Sequence, residues 1–586
     1  MRAVVAGVVS LSLVATGLIA QAPPAESDTI LRAMKDELER SRALKVVDLD
    51  KPYYIEYSLE DSDFFTVSAS LGALISANRN RARVPQVQVR VGDYQFDNTN
   101  HIYSSYYSGQ RYDPDQWPLD NNYALFRECF WLATDRAYKA GLEALSRKRA
   151  ALKNAAQPEP LADFSKAPAV KVMEPIAFGK FDEADWANRV VRLSQVFTAY
   201  PELHSSTVSS QVFRGVAYFV DSEGTVARYP DSMVQLYAAV SAQAADGMAV
   251  RDLASVPVLE ASQAPADGEL RRVFTQSAEN VRSLLKAPIG EGYTGPVLFE
   301  GVSAAQLMAQ LVGDNLRVPR RPISDPNRPA PILPSEFETK LGARVMPDWM
   351  DVVDDATQKE WRGRKLLGYT VLDMEGVQPK PVNAVEKGVL KSFITTRQPV
   401  KGSNGSTGNA RLGGSFGTRT AVISNLFVKA SQTKSPQELR AQLIESIKQR
   451  GKPYGIIVRK LDYPTAASPR ELQAMLSGLM QGGGGGRPVS PPVLVYRVYP
   501  DGKEELVRGL RFRGLNSRSL RDIVAASDEQ YVFDFINNGA PFAVSGAGGY
   551  VAPSTVVSPA LLFDEVELER EQEGSSRPPL APPPPM

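Results

Sequence analysis

The stretch Gly295–Asp314, GPVLFEGVSAAQLMAQLVGD, opens with four apolar residues, Pro296–Phe299, between a glycine and a glutamate, and continues past Glu300-Gly301 into the apolar-rich Ser303–Gly313. A short continuous apolar run bounded by turn residues reads as a strand buried on both faces, and the longer run after it as a helix. Just upstream, Pro288–Gly295 is a loop, so the reading places a boundary near Gly290.

Outward toward the N-terminus, Ser27–Val46 is an amphipathic helix pattern with Ile30, Leu31, Met34 and Leu38 on one stripe. Strands are expected at Tyr53–Ser58, Phe64–Ser70 and the strictly alternating Val87–Val91. The longest helical pattern is Asn121–Lys153, with Asp120 or Asn121 as N-cap and Cys129 on the apolar stripe. A helix over Trp186–Tyr200 precedes strands at Ser206–Phe213 and Val216–Val220, the turn Asp221–Gly224, and further strands to Asp246-Gly247. Outward toward the C-terminus, Arg317–Pro334 is Pro-rich and aperiodic, a long connection. Short strands and Gly turns then dominate to Asp564. A helix over Ser435–Gln449 starts with the capping pattern Ser435-Pro-Gln-Glu438, another is expected at Ser468–Met480, and Asp501-Gly502 makes a hairpin. The reading is α+β, in four parts: residues 1–22 a signal peptide, 23–290 an N-terminal α/β domain, 291–568 a β-rich C-terminal domain, and 569–586 a disordered Pro-rich tail.

Composition limits the chemistry. Among 586 residues there are two His and one Cys, so His101, His204 and Cys129 are the whole stock of soft metal ligands. Neither His is followed by Glu, which excludes an HExxH or HExxxH zinc peptidase site. A single Cys excludes an internal disulfide. Both His read as satisfied loop residues and Cys129 as a small core hydrophobe. Lys+Arg at 67 against Asp+Glu at 66, a net charge of +1, offers no block of basic residues for nucleic acid. Arg2 followed by the apolar, small-residue run Ala3–Ala20 and Ala20-Gln-Ala22 reads as an export signal, with an uncleaved membrane anchor as the alternative; no second span comes after it. The expected location is periplasmic or extracellular.

Several segments together resemble the TldD/PmbA family of metallopeptidase-related proteins, also called modulators of DNA gyrase. They are Gly295–Glu300, Leu341–Arg344, Val352–Asp355, Gly388–Lys391, Ser406–Asn409, Asn425–Val428 and Pro559–Glu567, with Phe219–Thr225 and Ala245–Gly247 in the first half. The resemblance implies two domains with a cleft between them and a dimerising β-rich half. It also implies that active members carry His-Glu-x-x-x-His on the helix after the Gly-Pro-Val-Leu strand, with a third zinc ligand from a Cys near the C-terminus. Here Ala309, Gln310 and Asp314 fall on the His, Glu and His positions, and the Cys position falls near Ser545. Ala309 has no donor atom, Gln310 no useful basicity, and Asp314 alone cannot hold zinc. Two His five residues apart also converge only where a helix bends or ends.

The resemblance and these substitutions together imply a member without zinc or other cofactor: a pseudoenzyme comparable with the family's PmbA/TldE-type subunits. It is expected to bind a peptide or unfolded segment by strand addition, with Ser406, Gly408 and Asn409 as contacts, and to form a homodimer or a heterodimer with a TldD-like subunit. Two other readings stay open. One is a divergent peptidase using a metal held by Asp314, Asp354, Asp355 or Glu300, or the hydroxyl of Ser545. The other is a structural envelope protein. For Asp351, Asp354 and Asp355 the plainer expectation is a solvated turn.

Overall fold

A computed structural model describes residues 28–44, 50–101, 117–153, 161–324, 334–403, 405–413, 418–462, 489–537 and 552–571. The export signal, the expected helix at 468–480, Ser545 and residues 572–586 lie outside the described residues.

The first half is one mixed sheet with helices on one face. Its elements run α1 (Thr29–Arg42), β1 (Pro52–Ser70), β2 (Ala73–Val91), α2 (Tyr123–Leu152), β3 (Lys171–Met173), α3 (Glu183–Ser194), β4 (Ser205–Asp221), β5 (Val226–Gln243), β6 (Ala249–Val258) and α4 (Asp267–Lys286). The strand order is β2-β1-β4-β5, with β3 and β6 both pairing β5. Odd-numbered residues of β1 point to the helices: Ile55, Tyr57 and Leu59 pack with Ile30, Met34, Phe126 and Phe130 of α1 and α2. Phe65, Val67 and Ala69 pack with Trp186, Val190, Phe274 and Val281 of α3 and α4. The period of two leaves the even-numbered residues of β1 on the opposite face. α1 starts at Asp28, whose carboxylate accepts from the backbone N–H groups of Ile30 and Leu31, and α2 is capped by Asn122, one residue beyond the expected candidates.

Two expected strand pairs are single strands. Tyr53–Ser58 and Phe64–Ser70 are both inside β1, and Ser206–Phe213 and Val216–Val220 are both inside β4. The polar stretch Glu60–Asp63 and the pair Arg214-Gly215 read as breaks, yet the pairing runs through both without a register shift.

The second half continues with β7 (Tyr293–Phe299), α5 (Val302–Met308), a π turn (Ala309–Gly313), α6 (Asp314–Leu316), β8 (Met350–Asp354), β9 (Glu360–Trp361), β10 (Arg364–Lys365), β11 (Val382–Glu386), β12 (Val389–Leu390), β13 (Ala410–Gly413), β14 (Arg419–Ala421), β15 (Asn425–Ala430), α7 (Pro436–Gln449), β16 (Gly455–Leu461), β17 (Pro492–Val498), β18 (Glu504–Val507), β19 (Leu510–Arg513), β20 (Ile523–Asn537) and β21 (Ala552–Arg570). One large sheet runs β12-β11-β8-β15-β21-β7-β16-β17-β18, with β19 and β20 also on β21. β7 is apolar from Pro296 to Phe299 because both its faces are covered there. Val297 and Phe299 join the core with Leu307, Met308 and Leu311, while Leu298 joins Leu439, Leu443 and Ile447 of α7. α7 carries the full capping box between Ser435 and Glu438. β21 runs through Arg570, so Glu569 and Arg570, expected in the tail, belong to a strand.

The even face of β1 looks toward the second half. Glu56 pairs with Arg419 at 3.0 Å, both side chains essentially fully buried. Arg397 donates to the Ser165 carbonyl, pairs with Glu223 at 2.7 Å, and lies over the Phe164 ring. Phe219 of β4 packs with Leu372, and the Gly376 backbone, at φ +73, approaches the Phe219 ring so closely that a Cβ there would sit 2.4 Å from it.

Candidate functional site

The helix following β7 does bend where two residues five apart must converge. The N–H of Asp314 reaches back to the Ala309 carbonyl, a bond spanning five residues, and thereby brings positions 309 and 314 onto one side of the helix. The side chains there are otherwise engaged. Ala309 is nearly buried. Gln310 donates to the Gln306 carbonyl at 3.1 Å and accepts from the Ser490 N–H at 2.7 Å. Asp314 pairs with Arg317 at 2.9 Å. One turn earlier, Gln306 exchanges two hydrogen bonds with the backbone of Leu461, and Ser303 donates to the Val458 carbonyl, so this face of the helix is fastened to β16. Zinc does not fit these residues: one carboxylate already in an ion pair, an amide and a methyl group provide no ligand set.

The other carboxylates considered as metal ligands are scattered. Glu300 forms ion pairs with Arg440 and Arg459, which outweigh burial and hold its carboxyl below the usual range. Asp355 accepts from the backbone and hydroxyl of Thr357, and Asp351 from the Lys387 N–H. Asp354 departs from the expected solvated turn. It ends β8 at 1% exposure, accepting from the Ser424 N–H and from Asn409, each at 2.7 Å. Burial pushes its carboxyl up to about 6. Among the described residues no three His, Cys, Asp or Glu side chains gather as a metal site.

The Ser406–Asn409 loop is held from behind. The Asn409 amide is buried and bonded to Asp354 and the Val422 carbonyl, so its side chain is a clip within the fold. Gly408 has φ +78, and a Cβ there would meet Pro379 Cα at 2.4 Å. The Ser406 hydroxyl accepts from the Gly408 N–H. Of the remaining residues singled out in the sequence, His101 is buried, His204 lies at the surface with its N–H on the Ser241 carbonyl, and Cys129 packs half-buried against the α1–α2 core. Burial and the neighbouring Lys148 hold the His101 imidazole below its ordinary pKa.

Sequence reading missed a polar surface on the first sheet. On the face turned to the second half, Ser62, Gly215 and Asp231 share one rung across β1, β4 and β5, and Glu60, Ala217 and Tyr229 share the next. Small residues on the central strand thus lie between two carboxylates. Burial and the Asp231 charge raise the Glu60 pKa, and crowding by surrounding protein raises that of Asp231. Arg411 lies within electrostatic range of Asp231, Asp354 and Asp373, and burial lowers its pKa to about 10. It donates to the Ile423 and Pro553 carbonyls, and Ile423 in turn touches Gly313 of the π turn. One continuous set of contacts joins the π turn to this surface. The signal that could have found it is the pair of polar interruptions in otherwise apolar strands.

The β7 strand leading into a helix with a π turn lies within an α+β scaffold whose large sheet packs against that helix. Residues 331–482 match the family model described as the PmbA/TldA metallopeptidase C-terminal domain, which places a TldD/PmbA-family domain in the second half of the chain. A metalloprotease of Methanocaldococcus jannaschii is 33% identical over 96 residues, covering 16% of this chain and 20% of that protein. A metalloprotease of Archaeoglobus fulgidus is 36% identical over 75 residues, covering 13% and 16%. The alignments thus span a fifth or less of those relatives. TldE from Thermococcus kodakarensis has the same fold at TM-score 0.55 and 12% identity, over 92% of this chain and all of that one. A candidate modulator of DNA gyrase from Bacteroides thetaiotaomicron does so at TM-score 0.56 and 11% identity, over 93% and 99%.

Proposed function

We propose that this chain is an exported, zinc-free TldD/PmbA-family protein that binds extended or unfolded peptide as the non-catalytic subunit of a peptidase assembly, either a homodimer or a heterodimer with a TldD-like chain. The π turn carries the reading: its backbone bends as a five-residue ligand spacing requires, while its side chains at 309, 310 and 314 offer a methyl group, an amide engaged with Ser490 and a carboxylate paired with Arg317. Peptide would enter as an added strand, with main-chain contacts from Ser406 and Gly408 and with Asn409 holding their loop in place. Export rests on the Ala3–Ala20 run; among the described residues no helix is long and apolar enough to cross a membrane.

Metal analysis of the purified chain, combined with an assay on unfolded peptides, tests the proposal. Stoichiometric zinc or cleavage by the chain alone overturns it. Saturable peptide binding without turnover supports it. N-terminal sequencing of the protein recovered from its native host reports whether Ala22 or a nearby residue marks a cleavage point, and recovery with the cytoplasmic fraction overturns export.

A further inference from the structure

Glu60, Ser62, Tyr229 and Asp231 project from one face of the first sheet on two adjacent rungs, around Gly215 and Ala217 of the central strand. The next rung places Phe64 beside Phe213, with ring centroids 5.1 Å apart, and the Phe213 ring leans over Gly215: a Cβ added there would lie 2.8 Å from its Cζ. The result is a trough with an aromatic shelf at one end, Tyr229 on a side wall, and carboxylates on both sides. Asp231 is open to solvent and Glu60 is half-buried. No ion pair or side-chain hydrogen bond engages either carboxylate among the described residues; Arg411, the cation facing Asp231, points its N–H groups at the Ile423 and Pro553 carbonyls.

Ser62 provides an independent observation. Its side chain is 1% exposed, stands on the same face as Glu60, and its hydroxyl has no hydrogen-bond partner among the described residues. A buried hydroxyl without a partner costs about 1–3 kcal/mol, so such groups mark places where a missing ligand or water completes the structure. Elsewhere in this chain buried hydroxyls such as Thr134, Ser303 and Thr407 are bonded.

From this arrangement we infer that the Glu60–Ser62–Asp231 trough is a subsite for an organic ammonium group, the lysyl side chain of a bound peptide, with its methylene stem along Phe213 and Tyr229. A hard divalent ion fits less well: Ca²⁺ takes six to eight oxygens and Mg²⁺ demands octahedral geometry, whereas the trough presents two carboxylates and one hydroxyl beside aromatic rings. Those rings suit a cationic head on an apolar stem. Identifying the ligand as part of a peptide rests on the peptide-binding reading above; the preference for an ammonium group does not.

The test uses the full chain with n-butylammonium, n-butanol, Ca²⁺ and a pair of otherwise identical short peptides carrying lysine or norleucine, measured by calorimetry and fluorescence anisotropy. Saturable binding of n-butylammonium, at least tenfold tighter than n-butanol and lost at least tenfold in Glu60→Gln/Asp231→Asn, is expected. Ser62→Ala should weaken it about two- to threefold. The double variant is isosteric and removes a like-charge pair, so a folded protein with an unchanged or higher Tm is expected; each single variant gives a second reading of the same loss. Equal binding of butylammonium and butanol, unchanged binding in the variants, or a clear preference for Ca²⁺ overturns the inference. Binding of butylammonium with no binding of either peptide supports the subsite and overturns the peptide-binding reading. Equal binding of both peptides with no saturable ammonium binding does the reverse.

Discussion

The π turn at Ala309–Gly313 and the trough on the first sheet differ most in what their polar groups do. In and around the turn, Gln306, Gln310, Asp314 and Asn315 all have hydrogen-bond or ionic partners within the fold. In the trough, among the described residues, Glu60 and Asp231 lack an ion pair and the Ser62 hydroxyl lacks a hydrogen-bond partner. The side chains of the turn are engaged in packing and internal bonds. The trough keeps polar groups at a cost that a bound ligand or water offsets. Arg411, bonded toward the turn and charged toward the trough, stands between the two regions.

The most severe way to break the comparison is to separate the two halves that hold these regions. Glu56 and Arg419 form an ion pair across the interface with almost no exposure on either side. Arg419→Ala leaves a buried carboxylate without its partner and is expected to cost about 3–5 kcal/mol. Urea denaturation measures it. The pair-removing variant Glu56→Leu/Arg419→Met should regain most of that loss, because replacing both charges with apolar groups removes the unpaired charge. A loss under 1 kcal/mol for Arg419→Ala would mean that this contact does not hold the halves together.

Acidity acts on buried carboxylates of both halves. Burial raises the carboxyls of Asp354 and Asp221 to about 6 and, with help from Glu375, that of Asp373 to about 7. Their pKa values in the folded state lie above the unfolded value near 4. The folded state therefore binds more protons, and the stability they contribute is fully present below about pH 4 and is lost as pH rises through 6 to 7. For Asp354, which is almost wholly buried, this is on the order of 2–3 kcal/mol. His101, held below its ordinary value, works weakly in the other direction between its folded pKa and about 6.5. Thermal unfolding should give a higher Tm at pH 5 than at pH 8; a Tm that rises steadily over that range contradicts the assignment.

How much of this could be read in the sequence depends on where polarity interrupts a pattern. Helices α1 and α7 are legible because their apolar stripes and caps are local. β7 is legible because burial on both faces needs an unbroken apolar run. A local reading breaks β1 and β4 at Glu60–Asp63 and Arg214-Gly215, and those two interruptions are neighbours across the sheet, meeting at the Ser62–Gly215 rung. The local pattern fails there because the residues serve a surface formed only when three strands pair, which lies beyond the reach of a period-two reading. Asp354 was misplaced for a related reason. Its burial depends on Ser424 and Asn409, distant in sequence, and adjacent aspartates read locally as a turn.

Asn409 allows a finer cut. Its amide donates to Asp354 at 2.7 Å, and Asn409→Ala leaves that carboxylate with the Ser424 N–H as its remaining close donor. The expected cost is about 1–3 kcal/mol. The lost hydrogen bond favours the charged form, so Asp354 should titrate still higher and the penalty should be larger at pH 8 than at pH 5. A penalty that does not change with pH would make Asn409 a packing residue alone.

The smallest expected effect bears most directly on the turn. If the π turn supplies geometry and only the side chains lack chemistry, Ala309→His/Asp314→His should gain Zn²⁺ affinity at least tenfold over the native chain, about 1.4 kcal/mol. Two imidazoles five residues apart on a regular helix would diverge by more than a quarter turn and could not act together. Here the Asp314 N–H bond to the Ala309 carbonyl shortens that angular separation. Calorimetry with Zn²⁺ measures the gain, with Asp314→His alone as the control that supplies one imidazole without its partner. Ala309 is nearly buried, so Tm is followed alongside, and a folded double variant with no gain over the control would show that the bend does not bring the two positions together. A gain confined to the 309/314 pair would leave the side chains, and not the backbone, as the part of the metallopeptidase that this chain lacks.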